Sequence, residues 1–156
     1  MTARVLAQPF PIVTPETDAM EAARMLAALR LPGLIVCGDD GRPYTILPGP
    51  QVLGFLIPTY VQDDPALARA LDEEASDELC RRLVHFTVRD LLPQPPDLDE
   101  LPVVDADATS LEVAAVMAHM HSPLVAVVDE RDGNQVIGAI TVNRLLDHLL
   151  PPRPAS

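Results

Sequence analysis

Residues 103–128, VVDADATSLEVAAVMAHMHSPLVAVV, lie over residues 12–37, IVTPETDAMEAARMLAALRLPGLIVC, at an offset of 91 positions without a gap. Val13 meets Val104, Glu21 meets Glu112, Ala23 meets Ala114, Ala27 meets Ala118, Pro32 meets Pro123 and Val36 meets Val127. Met20, Leu26, Leu29 and Leu34 meet Leu111, Met117, Met120 and Val125. Agreement in identity and in apolar pattern over one unbroken stretch marks an internal repeat, and the repeat governs the organisation of the chain.

Each copy can be read locally. In the second, Pro102 to Asp105 is a short apolar strand, and Thr109 followed by Glu112 is a capping box that opens a helix. Leu111, Ala114, Ala115 and Ala118 recur at spacings of three and four, so the helix carries an apolar face to about Met120 before Pro123 stops it. Leu124 to Val128 is a continuous apolar run of the kind buried in a sheet, Asp132-Gly133-Asn134 is a turn, and Val136 to Thr141 is the paired strand. A last helix is expected from Val142 to Leu150, giving the order β-α-β-β-α.

The first copy follows the same order: a strand near Ile12, a helix from Asp18 to Arg30, strands Leu34 to Cys37 and Tyr44 to Leu47 around the turn Asp39-Asp40-Gly41, and a helix from Pro50. Between the copies, Asp64-Pro65 reads as an N-cap and first helical residue, and Leu67, Leu71, Ala75, Leu79 and Leu83 recur every fourth position. One inserted amphipathic helix of about five turns is the expectation. The acidic residues Asp72, Glu73, Glu74, Asp77 and Glu78 would be its solvated face. The expected division is repeat 1 over residues 1–62, the inserted helix over 63–84, repeat 2 over 85–150 and a proline-rich tail over 151–156, with Pro93 to Asp99 also loose.

Composition removes several function classes. The 156 residues carry 11 bases against 23 acids, a formal charge of −12, with 3% aromatics and no Trp, so neither a phosphate backbone nor stacked bases find a surface here, and nucleic acid is not an expected partner. All bases are Arg; without Lys there is no Schiff-base residue and no P-loop lysine. Cys37 and Cys80 lack CxxC spacing, so no zinc site or disulfide framework is indicated. Met1 to Val13 does not read as a signal peptide and no apolar run is long enough to span a bilayer. A cytoplasmic protein without membrane insertion is expected.

Two β-α-β-β-α copies in a chain of this length resemble the tandem cystathionine-β-synthase (CBS) domain pair, the Bateman module. The resemblance is carried by Leu101–Glu112, Ser122–Asp129, Gly138–Leu146 and the linker Thr87-Val-Arg-Asp-Leu-Leu92. It implies an α/β fold of two CBS repeats packed sheet to sheet, dimerisation through the last helix of each repeat, and clefts that hold AMP, ATP or S-adenosylmethionine as regulatory ligands. It further implies that the ligand-binding positions are Val103, Ser122, Pro123, Leu124, Gly138, Thr141 and Arg144 in the second repeat. In the first they are Ile12, Pro32, Gly33 and Gln51, with Thr45 and Pro48 opening the last helix. At the position of the family's ribose-binding carboxylate stand Arg144 and Gln51, and at the position of its hydroxyl stand Thr141 and Pro48. Ordinary AMP recognition is therefore altered, and the first cleft is the poorer phosphate site.

Read without the family, Thr141 is either a phosphate-binding hydroxyl or simply the N-cap of its helix. His119 and His121 are two apart and do not share a helix face, so they make no metal pair. No nucleophile, base and orienting acid are placed together, and no catalytic residue is assigned. The expected function is a non-enzymatic regulator that binds an adenosine-type nucleotide as a homodimer. The competing reading is a ligand-free scaffold that docks on an unknown enzyme or transporter.

Overall fold

The structure is a computed structural model that describes residues 1–92 and 101–152. The proline-rich stretch at Pro93 to Asp99 and the end of the tail lie outside the described residues. In chain order the elements are α1 (Ala3–Leu6), β1 (Ile12–Val13), α2 (Ala19–Ala28), β2 (Gly33–Cys37), β3 (Pro43–Pro48) and α3 (Gly49–Leu56). Then follow α4 (Thr59–Asp63), α5 (Glu73–Arg81) and α6 (Val88–Leu91). The second copy comprises β4 (Val103–Asp105), α7 (Ser110–Met120), β5 (Leu124–Asp129), β6 (Gln135–Thr141) and α8 (Val142–Leu149). They form two three-stranded sheets of order β1-β2-β3 and β4-β5-β6. The continuous apolar runs are the central strands, as burial demands: β2 is buried along its whole length and β5 at all but its last residue.

The repeat is visible in the registers. Ile12 pairs with Ile35 and Val13 with Val36 in one parallel ladder. Val103 pairs with Ala126 and Val104 with Val127 in the other. Both pairs are displaced by the offset of 91. Past the hairpin the offset becomes 93, because Pro48 caps α3 where Thr141 caps α8. The second hairpin is the longer one, with a short 3₁₀ turn at Glu130–Asp132 followed by Gly133 and Asn134 at positive φ. The offset of 91 also relates Arg30 and His121, both left-handed just past the ends of α2 and α7.

The inserted helix differs from expectation. Residues Pro65–Ala70 form a 3₁₀ helix, Leu71 is extended, and a new helix begins when the Asp72 carboxylate accepts a hydrogen bond from Ala75 N at 2.8 Å. A second 3₁₀ turn spans Arg82–His85. The fourth-residue leucine spacing does not hold one helix together here because the stripe has no surface to lie on: residues 62–74 are all exposed, Leu79 is half-buried, and only Leu83 is buried.

The chain forms two compact units. One comprises Met1–Pro11, Cys37–Thr45 and Asp97–Ser156, the other Ile12–Val36 and Ile46–Pro96. In the first unit Ala3 and Leu6 join Val104, Val113, Val125, Val127, Ile140 and Leu145 in one core. The tip of the first hairpin also belongs to it, with Arg42 Nε donating to Gly133 O at 3.1 Å and Gln135 Nε2 to Asp40 O at 2.7 Å. There Asp105 is held below the usual carboxylate range, first by the backbone N–H of Asp107 and then by that of Glu130. In the second unit α2 packs against α3, α6 and the turn at Leu83, and Phe55 meets Phe86 edge to face at 4.9 Å. Burial, and then the Asp40 carboxylate, push the Cys37 thiol upward.

Candidate functional site

In the second copy the start of α8 gathers five of the expected residues. Leu124 pairs with Thr141 across β5 and β6, Pro123 O accepts Val142 N at 3.1 Å, and Ser122 Oγ turns back to Leu124 O. Thr141 Oγ1 accepts from Arg144 N at 3.3 Å, so this hydroxyl is an N-cap whatever else it does. Val103 is half-buried one strand further out, opposite Ala126. Gly138 faces Val127 and has no space above it: a Cβ there would stand 2.6 Å from Gln8 O and 3.2 Å from Ala7 Cβ.

The first copy repeats the arrangement. Gly49 N donates to Pro32 O at 3.2 Å, the counterpart of the Val142–Pro123 bond. Gly33 is buried, with Leu47 O at 3.0 Å from a notional Cβ, and Ile12 is 46% exposed. No hydroxyl caps α3, since Pro48 holds that place.

The residue in the third position of each last helix is engaged internally. Gln51 Nε2 donates to Leu91 O at 2.8 Å, and Arg144 Nε donates to Leu6 O at 3.2 Å. Both carbonyls end short helices, and these helices are themselves a second repeat that the sequence analysis missed. Ala3 N and Arg4 N donate to Ala108 O and Ala106 O at 2.8 and 2.9 Å. Val88 N and Arg89 N donate to Thr17 O and Pro15 O at the same two distances. Thr2 bridges Thr109 as Thr87 bridges Asp18, and the equivalent arginines Arg4 and Arg89 each form an ion pair, though with acids at different places, Asp129 and Glu16. So α1 completes the second copy and α6 the first; each copy is finished by the segment that precedes the other copy's first strand. The signal lay in Thr2-Ala-Arg-Val-Leu6 and Thr87-Val-Arg-Asp-Leu91, where threonine, arginine and leucine recur at an offset of 85.

Among the described residues no group of His, Cys, Asp or Glu is placed to hold a metal, and no helix is long and apolar enough to cross a membrane.

Comparison with known proteins places this geometry. Residues 87–151 match the CBS domain. Over 97% of this chain and 99% of the other, the fold and sequence are similar to a crystal structure of a CBS domain-containing protein of unknown function from Kribbella flavida, at 50% identity and a TM-score of 0.82. The chain belongs to the CBS-domain family. As a tandem CBS pair, it is also similar to CBSX2 solved in complex with AMP, at 20% identity over 94% of each chain and a TM-score of 0.64. CBSX2 is a CBS-pair protein of Arabidopsis thaliana. A third likeness is to the cytosolic domain of the Mg2+ channel MgtE in complex with ATP, at 19% identity over 95% of this chain and 48% of that one, with a TM-score of 0.62. These two likenesses are of fold. No match is found among curated proteins.

Proposed function

We propose that this CBS pair is a cytoplasmic, non-enzymatic regulator that binds an adenosine-type nucleotide of the AMP or ATP class at its second repeat. The observation that carries the reading is the opening turn of α8, where a hydroxyl, Thr141, and a guanidinium, Arg144, stand one turn apart beside Pro123 and Leu124. Thr141 and Arg144 take the phosphate by charge-assisted hydrogen bonds, and the base lodges among Val103, Pro123 and Leu124. Pro48 and Gln51 offer neither hydroxyl nor charge, so Ile12, Pro32, Gly33 and Gln51 form the weaker of the two sites. The AMP and ATP complexes of similarly folded CBS proteins support the reading.

Because a ligand selective for the folded state stabilises it by RT ln(1 + [L]/Kd), AMP and ATP at saturation raise Tm, and adenosine at the same concentration does so less. Arg144→Ala weakens AMP binding by about 1.5 to 3 kcal/mol in a calorimetric titration, the range for hydrogen bonds to charged groups. A flat melting response to AMP, ATP and S-adenosylmethionine at millimolar concentration sinks the reading. It would favour a ligand-free scaffold for a partner enzyme or transporter, to which the exposed Leu67 and Leu71 of the inter-repeat segment already lend weight.

The regulator works as a homodimer. Leu53 on α3, and Leu146 and Leu149 on α8, are exposed, while Val52, Leu56 and Leu145 on the opposite sides of those helices are buried. Light scattering at micromolar concentration reads twice the 16.9 kDa chain mass; a monomer mass removes this part of the proposal.

A further inference from the structure

The two short helices hold equivalent positions but are not equally secured. Around α6 the Asp90 carboxylate accepts Thr87 N at 2.9 Å and completes a capping box, so this helix is stabilised by its own first turn. Around α1 the same place is taken by Val5, which is 58% exposed, and Thr2 makes no side-chain cap. The N-terminal segment is therefore held by its contacts with the second copy. These are the burial of Ala3 and Leu6 in its core, the Arg4–Asp129 ion pair, Ala3 and Arg4 on the carbonyls of Ala108 and Ala106, the reciprocal Gln8 and Ala139 bonds at 2.9 and 3.0 Å, and Arg144 on Leu6 O.

The donors differ as well. Gln51 holds α6 with a neutral amide, for which an anion competes weakly. Arg144 holds α1 with a guanidinium spent on a neutral carbonyl, and an anionic oxygen offers that guanidinium a Coulomb attraction and a bidentate geometry that the carbonyl lacks. We infer that Arg144 is a latch on an anion-releasable strap, Met1–Gln8. An anionic group drawn to Arg144 takes the guanidinium from Leu6 O, the strap loosens from β6, and the backbone above Gly138 opens. The linker helix α6, with its capping box and its amide donor, stays in place. The inference builds on the nucleotide reading above by giving it a structural output, yet the latch is judged without any nucleotide.

Amide hydrogen exchange on the full chain tests it. In Arg144→Ala the Gln8 and Ala139 amides exchange about tenfold faster than in the parent, the scale of one lost hydrogen bond. In Arg144→Gln, which copies the arrangement at Gln51, they stay within about threefold. Val88 and Arg89 are unchanged in both. Val5→Asp supplies the missing capping carboxylate and slows exchange in the strap. Inorganic pyrophosphate speeds exchange at Gln8 and Ala139 in the parent, relative to sodium chloride of equal ionic strength, and fails to do so in Arg144→Gln. Unchanged strap exchange in Arg144→Ala overturns the latch, as does an equal pyrophosphate response in the parent and Arg144→Gln. Failure of AMP to bind would remove the nucleotide reading and leave these arms standing.

Discussion

Leu83→Ala is expected to cost about 2 to 5 kcal/mol of unfolding free energy, while Leu71→Ala, three steps back along the same stripe, costs less than about 1 kcal/mol. The two leucines occupy equivalent places in the fourth-residue stripe, but Leu83 is 3% exposed against α2 and Leu71 is 37% exposed. Truncating the buried leucine removes both its transfer energy and the contacts of the atoms around it; truncating the other leaves water where water already was. With whole-domain stabilities of about 5 to 15 kcal/mol, the first change is readily measured by urea unfolding. Equal losses at the two positions would show that the 62–74 segment is covered in solution, by a second copy or by another partner.

Gly138→Ala is expected to destabilise by about 1 to 3 kcal/mol, as overpacking does. A methyl group at this position meets a backbone oxygen, Gln8 O at 2.6 Å, and not the flexible end of a side chain. The strap cannot withdraw without breaking its reciprocal bonds to Ala139. Gly54→Ala is the matched control. Gly54 lies in α3 with nothing within 4 Å of a notional Cβ, so alanine there stabilises by about 0.5 to 1 kcal/mol through helix propensity alone. Thermal unfolding of the two variants, with exchange at Gln8 as a second readout, checks the pair; a Gly138→Ala protein as stable as its parent would remove the close approach.

Much of the candidate site was legible because its parts are local. Pro123 ending a helix, Leu124 entering a strand and Thr141 opening the next helix each follow from residue chemistry within a few positions, and the structure joins them through one strand pairing and one backbone bond. What Arg144 does was not legible. Its partner is the carbonyl of a residue 138 positions away, and a carbonyl leaves no mark in a sequence.

By itself, the sequence determined the two copies and their order β-α-β-β-α. Apolar periodicity, capping residues and turn residues act over short distances, and a gapless offset carries one copy's order to the other. Tertiary structure alone decided which short helix completes which copy. Thr2-Ala-Arg-Val-Leu6 and Thr87-Val-Arg-Asp-Leu91 share threonine, arginine and leucine at matching places, and the available edge at Ala106 and Ala108, or at Pro15 and Thr17, distinguishes their destinations. It also decided the fate of the leucine stripe between the copies. Periodicity states that a helix would have an apolar face, whereas a long helix persists when that face is buried. Here Leu67 and Leu71 meet water, so the Asp72 carboxylate starts the chain on a new helix.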